Sequence, residues 1–335
     1  MNLFCFRRSA THIISLLLLV TAPVIAQHDH KGLPGKTTPA APLQKEGFGY
    51  AKVATPNPAE LPPLLSDGPT AEIFFDFTDE TFEIAGGGTM YAGWPINHTA
   101  PGPIFHVRQG QKVNITMVNN SDTWHSIDFH SAIVPPNIVF ADVKQGQTLS
   151  VSFVAETPGA FLYHCGTASV LWHIANGMFG AIIVAPADDV LPPADKSYVF
   201  VQNEWYTRWL HDKTFTGDYQ KMLDMRPDIV AFNGKAFQYN DHPLEVNAGK
   251  LTRIYFVNAG PSLFSAFHVI GHIIDTVYES GDLVNDRLSK VSVHPVAPGA
   301  GVIFDLTIPQ PGQYPFCDHN MANMEKGAMG TFNVK

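Results

Sequence analysis

From about Ala71 the chain runs in short stretches of β-branched and aromatic residues separated by Gly, Pro and Asn. Ile73-Phe74-Phe75, Lys112 to Val118, Leu149 to Val154 and Gly180 to Val184 have the length and composition of strands. Short strands with turn signals at frequent intervals predict an all-β sandwich. The pattern pauses from Pro186 to Lys196, where Pro192-Pro193 reads as a linker, and restarts with Tyr198-Val199-Phe200-Val201. The segment from Trp205 to Asp228 departs from it and has room for a short helix.

The second half echoes the first. Pro103 to Gly110 followed by Val113 to Asn119 is matched by Pro243 to Gly249 followed by Thr252 to Asn258. Each half then reaches a histidine segment and ends near another, at Gly159 to Gly180 and at Gly312 to Gly330. Two tandem copies of one sandwich account for this, over residues 67–188 and 189–335.

The first 66 residues lie outside the pattern. Arg7-Arg8, the apolar run Ile13 to Val20 and the small-residue end Val24-Ile25-Ala26 make residues 1–26 a secretory signal peptide, with too short an apolar run to span a bilayer. The residues after the arginines fit a twin-arginine signal poorly, which favours the general secretory route and a periplasmic mature chain. Residues 27–66 are rich in Pro, Ala, Lys and Gly and read as a flexible N-terminal arm. Its His28 and His30 are solvated or hold copper weakly.

Removal of the signal takes away two of the 21 basic residues and no acid, so the charge falls from −9 to −11. That balance, without a basic patch, argues against nucleic acid and is compatible with a cationic redox partner or with simple solubility. Cys165 and Cys317 remain after Cys5 is removed. In an exported chain they could form a disulfide, but Cys165 sits among metal-ligand types at ligand spacing and a disulfide would remove its thiolate. Cys317 has no such company and reads as a small buried apolar residue.

Fifteen histidines are explained by position. Cys165, His173 and Met178 follow a Cys-x7-His-x4-Met spacing, placing thiolate, imidazole and thioether on one short loop. Upstream lies Trp124-His125-Ser126-Ile127-Asp128-Phe129-His130, where strand parity puts His125 on one face and Asp128 with His130 on the other. The same parity separates His164 from Cys165. A blue-copper set of His125, Cys165, His173 and Met178 results, with His130, His164 and Asp128 on the opposite face. Two imidazoles leave that second site a ligand short, and the second half offers His268 and His319.

These motifs resemble those of the copper-containing nitrite reductases with two cupredoxin domains. The resemblance covers about Ala71 to Lys335 and rests also on Val230-Ala231-Phe232-Asn233-Gly234, Asn258-Ala259-Gly260-Pro261, Ser265 to Gly271, Asp318-His319 and Lys326-Gly327-Ala328. The Cys-x7-His spacing is similar to that of the subgroup with a compact ligand loop. The resemblance implies two tandem cupredoxin-like Greek-key sandwiches and one-electron reduction of nitrite to nitric oxide and water. It implies a type 1 copper on His125, Cys165, His173 and Met178, and a type 2 copper on His130, His164 and His319. In the family the third histidine comes from a neighbouring subunit of a homotrimer, and the electron donor is a cytochrome c or a small cupredoxin. Asp128 and His268 match the proton-handling pair, Ile270 matches the residue shaping the substrate pocket, and the rate is expected to fall as protons become scarce at high pH.

Some positions depart from that pattern. No threonine stands around Val293-His294, where the family commonly has one bonded to the catalytic histidine, which leaves His294 as a candidate substitute. Cys317 occupies a position usually aliphatic, and Ile133 to Val143 also differs. His272, two residues past Ile270, reaches the pocket if the strand stays regular, although a structural role is the simpler reading. Two rival functions share the cysteine loop. A laccase-like two-domain multicopper oxidase needs several His-x-His pairs, and the chain has only His28-Asp29-His30. A non-catalytic electron carrier or copper buffer needs neither the second histidine set nor Asp128 with His268.

Overall fold

The computed structural model describes residues 51–335, apart from 189, 282 and 286. Residues 1–26, expected from the sequence to be a signal peptide, and His28 with His30 lie outside the described residues. Among the described residues, no helix is long and apolar enough to cross a membrane.

The predicted strands form, and their alternation sets the faces of the sheets. In Thr70–Phe77, residues Ile73, Phe75 and Phe77 are buried while Glu72 and Phe74 are exposed. This strand pairs in parallel with Lys112–Asn119, which pairs antiparallel with Thr148–Val154. A four-stranded sheet, in the order Phe105–Arg108, Phe179–Ala185, Gly159–His164 and Asp128–Phe129, supplies the opposing face. Phe75, Phe105, Phe129 and Tyr163 meet between the two sheets, with ring centroids 5.3–5.9 Å apart. Each such ring contributes about 1.5–3 kcal/mol by leaving water.

The second half repeats this with more strands. A six-stranded sheet built on Lys196–Trp205, Leu251–Gly260 and Gly301–Thr307 packs on a five-stranded sheet that contains Gly312–Asp318, Ser265–Val269 and Met329–Val334. Phe200, Phe267, Phe304 and Phe316 fill the space between them. All-β architecture with paired sheets matches the sequence expectation, and the helices are single turns such as Val170–Ala175 and Met321–Glu325.

Two features depart from a simple alternating reading. Phe179–Ala185 and Lys196–Trp205 are buried almost without interruption, because a further apolar cluster covers their other face. Ala160, Leu162 and Ile183 of the first half meet Val199, Val201 and Val257 of the second in that cluster. Strands covered on both faces lose the polar half of their pattern. Trp205 to Asp228 carries the short helix Tyr219–Leu223, capped by Asp218, but also a hairpin, Thr207–His211 with Thr214–Gly217, that extends the sheet of Glu80–Ala85 and Thr89–Gly93.

Residues 51–66, read from sequence as the end of a flexible arm, are fastened to the body. Val53 and Ala59 are buried, Val53 N donates to Asp241 Oδ2 at 2.7 Å, and Leu61 N donates to Ser197 O at 2.9 Å. The sequence does not reveal this, because the segment is held mostly through its own main-chain atoms, which leave no periodicity.

Candidate metal centres

The histidine segment of the first half is less regular than strand parity assumes. His125 is held by a two-way bridge to Val143, and only Asp128–Phe129 is strand, paired with His164 and Tyr163. The outcome nevertheless follows the expectation: His125 turns towards Cys165, whereas Asp128 and His130 turn towards His164.

The first group lies in the core of the first half. Strand Gly159–His164 ends at Cys165, whose N–H donates to Met178 O at 3.0 Å, and His173 is fixed on the helical turn between them. His125, Cys165, His173 and Met178 are all at most 2% exposed. His173 Nδ1 lies 3.2 Å from both Cys165 Sγ and His125 Nδ1, and Sγ lies 3.9 Å from His125 Nδ1. Donors about 2.0–2.3 Å from one tetrahedral metal stand roughly 3.3–3.7 Å apart, so this set fits a soft transition ion. Burial pushes the His125 imidazole down to about 2, reinforced by His173, so it is held neutral as a ligand must be. Burial also raises the Cys165 thiol, against the Ser126 N–H that points at its sulfur from 3.5 Å. A cation is needed to make the thiolate favourable there. Both described cysteines are free, and no disulfide joins Cys165 to Cys317.

The second group has the more telling geometry. His164 Nδ1 donates to the carbonyl of Cys165 at 2.9 Å, and His130 Nδ1 donates to the carbonyl of Gly299 at 2.9 Å. A carbonyl only accepts, so both Nδ1 atoms carry protons. The two Nε2 atoms then face one another across 3.1 Å. Two neutral rings so bound present lone pair to lone pair, an arrangement a metal ion between them satisfies. Burial lowers the His164 pKa, and nearby His130 adds to that shift. Asp128 Oδ2 lies 3.9 Å from His164 Nε2, at the partly open side of the group.

The second half places its own candidates on the sheet that contains Ser265–Val269. His268 Nδ1 donates to the carbonyl of Ser292 at 2.6 Å, and its ring packs edge-on against His319 with centroids 5.4 Å apart. His319 is exposed and does not join Asp128, His130 and His164 within the chain. The proposed substitute, His294, is ruled out: it sits opposite Phe267 in the ladder, faces Phe304 and reaches Glu279 at 3.2 Å. A main-chain carbonyl, not a side chain, orients His268. Cys317 lies directly across the ladder from His268 and is buried, as expected of a small apolar residue. Ile270 is 46% exposed, beyond the end of the strand. Gly271, with φ +84°, turns the chain there, yet His272 still lines the same open cavity of about 640 Å³ as His268, with Asp275 and Lys290.

Comparison with known proteins separates the remaining readings. A sequence model of the multicopper oxidases matches residues 78–189. A copper-containing nitrite reductase of Neisseria meningitidis serogroup A is 34% identical over 293 residues, 84% of this chain and 74% of its own length. The chain belongs to the copper-containing nitrite reductase family. A solved copper nitrite reductase of Nitrosomonas europaea superposes with a TM-score of 0.74 at 33% identity, over 79% of this chain and 94% of its own. That of Thermus scotoductus gives 0.73 at 28% identity, over 79% of this chain and 62% of its own.

Within this nitrite reductase fold, several contributors to the two groups were not foreseen. Ser121 Oγ lies 3.0 Å from His125 Nε2, and Trp94 packs on His173 with centroids 4.9 Å apart. The carbonyls of Gly299 and Ser292 belong to turns whose only sequence signal is composition, such as Pro298-Gly299. A carbonyl that aims a ring has no side-chain signature.

Proposed function

We propose that this protein reduces nitrite with one electron and two protons to nitric oxide and water, using both groups. His125, Cys165, His173 and Met178 would hold a type 1 copper. His130 and His164, with His319 of the partner subunit in a homotrimer, would hold the type 2 copper. The single observation that carries this reading is the Nε2-to-Nε2 opposition of His130 and His164 beside Asp128. When bound, copper supplies the electron, and at the second group also a Lewis-acid position for nitrite.

The chain's own residues supply the rest. Cys165 and His164 are consecutive, so one peptide unit links the two groups and keeps the electron's path short. Asp128 stands beside His164 with its carboxylate partly open to solvent, where it can hold a proton over the substrate. His268, with Nδ1 committed to the Ser292 carbonyl, has Nε2 left to donate the second. Ile270, 46% exposed, would present the aliphatic side chain that limits the volume nitrite can occupy. The two sandwich units, 67–188 and 189–335, would then divide the work: the first carries the electron-accepting site, the second contributes His268 and His319. Export by residues 1–26 would place the enzyme in the periplasm, where a cytochrome c or a small cupredoxin donates the electron.

Copper content with anaerobic turnover tests this. Two coppers per chain and nitric oxide from nitrite with a reduced dye are expected. One copper per chain without nitric oxide would mean an electron carrier instead.

A further inference from the structure

The loop that carries Cys165, His173 and Met178 has a counterpart in the second half, matched bond for bond. Cys165 N donates to Met178 O at 3.0 Å, and Asp318 N donates to Ala328 O at 3.0 Å. Met178 N donates to His173 O, and Ala328 N to Asn323 O. In the ladders Asp128 faces His164 as His268 faces Cys317, and Tyr163 faces Gly180 as Phe316 faces Gly330. By this register Asp318, Asn323 and Ala328 occupy the places of Cys165, His173 and Met178. Ser265 takes the place of His125: Ser126 N points at Cys165 Sγ, and Ala266 N donates to Asp318 Oδ1 at 2.8 Å. Gln202 replaces Phe77, each lying opposite an asparagine, Asn258 or Asn119.

The replaced positions bond to one another. Asp318 Oδ2 accepts from Gln202 Nε2 at 2.9 Å and Asn323 Nδ2 at 2.7 Å. Oδ1 accepts from the main-chain N–H of Ala266 and, at 3.0 Å, of Asn320. Ser265 Oγ closes the set by donating to Gln202 Oε1 at 2.7 Å. Gln202, Ser265, Asp318 and Asn323 are each at most 1% exposed. Four donors saturate the carboxylate, so a metal place in one half is a hydrogen-bonded clamp in the other.

The clamp grips the chain on both sides of two histidines. Ala266 is two residues before His268, while Asp318 and Asn320 flank His319, whose own N–H donates to Ala266 O at 2.7 Å. We propose that Asp318 is a positioning residue: its carboxylate, tied to Ala266 and Asn320, sets the separation and angle of the His268–His319 pair. The inference rests on the proposed function for what those two histidines do.

The test compares the full-length, copper-loaded wild type with Asp318→Ala, Asp318→Asn and Asn323→Ala. In Asp318→Ala the visible absorption of the type 1 site stays, the type 2 electron paramagnetic resonance hyperfine pattern changes, and kcat falls about ten- to a hundredfold. Asp318→Asn recovers most of both, since its side-chain oxygen still accepts from Ala266 and Asn320 while the amides of Gln202 and Asn323 turn over. Asn323→Ala, which removes one donor, gives a smaller change and decides the matter if Asp318→Ala does not fold. A wild-type type 2 signal and kcat in Asp318→Ala, or in Asn323→Ala should that be the variant available, would overturn the proposal. Amide exchange in the metal-free protein reads the clamp without copper: Asp318→Asn keeps the protection of Ala266 and Asn320, and Asn323→Ala weakens it. A wild type that keeps that protection but binds no type 2 copper would refute the proposed function and leave the clamp standing.

Discussion

His130 and His164 face each other through Nε2 atoms 3.1 Å apart, and the outer nitrogen of each ring is already committed to a carbonyl. One of those carbonyls, Gly299 O, belongs to the second half of the chain, so both halves shape the group.

That dependence makes Gly299 a sensitive position. Its φ is +84°, and a Cβ there would stand 3.1 Å from His130 Cε1. Gly299→Ala should cost about 1–2 kcal/mol in backbone strain and turn the His130 ring. Urea unfolding and copper analysis would show a less stable protein with reduced type 2 occupancy and an unaltered type 1 band. A variant with full copper at both sites would show that the carbonyl does not orient His130.

The two groups should be separable at the cysteine. Cys165→Ser removes the only thiol of the first group, and about one copper per chain should remain, without the visible thiolate band. The type 2 signal should persist while turnover with an external donor collapses. Retention of the band would place the type 1 copper elsewhere.

Proton supply is the role assigned to Asp128. Asp128→Asn keeps the shape but cannot hold a transferable proton, so kcat should drop about 10²–10⁴-fold. Steady-state rates from pH 5 to 8 should also show a flattened profile with both copper signals intact. An unchanged profile would remove Asp128 from the chemistry.

A stability effect is expected at Glu204, which belongs to neither histidine group. Burial raises its carboxyl to about 7, although Tyr206 and the N–H groups of Ser262 and Leu263 donate to it. A raised folded pKa means that the native state binds the proton more tightly than the unfolded chain. Its stabilising contribution is therefore full below about 4.5 and is lost as pH rises through about 7. Across that window the wild type should lose on the order of 3 kcal/mol relative to Glu204→Gln. Urea unfolding of both at pH 4.5 and pH 8 measures the difference, and a pH-independent gap would contradict the burial argument.

Much of the first group was legible because three of its candidate ligands are side chains on one loop, spaced Cys-x7-His-x4-Met, inside a strand pattern. His130 and His164 were reached through parity, even though the segment around them is a bridge and a two-residue strand rather than a continuous one. What stayed hidden is carried by main chain or by covered surface. The carbonyls of Gly299 and Ser292 leave no residue type to read, and the packing of residues 51–66 is mostly main-chain bonding. In the sequence Asp318 is only the neighbour of His319; its place as the counterpart of Cys165 appears once the two ladders are aligned.

In the proposed mechanism nitrite is reduced at a copper held by His130 and His164 of one copy and His319 of the next. His319→Ala tests it with two readouts from one sample, the visible band and anaerobic nitric oxide release. The band should match the wild type, and type 2 copper and nitric oxide should both be lost. Nitric oxide at the wild-type rate from that variant would mean that nitrite is reduced without a copper on His319.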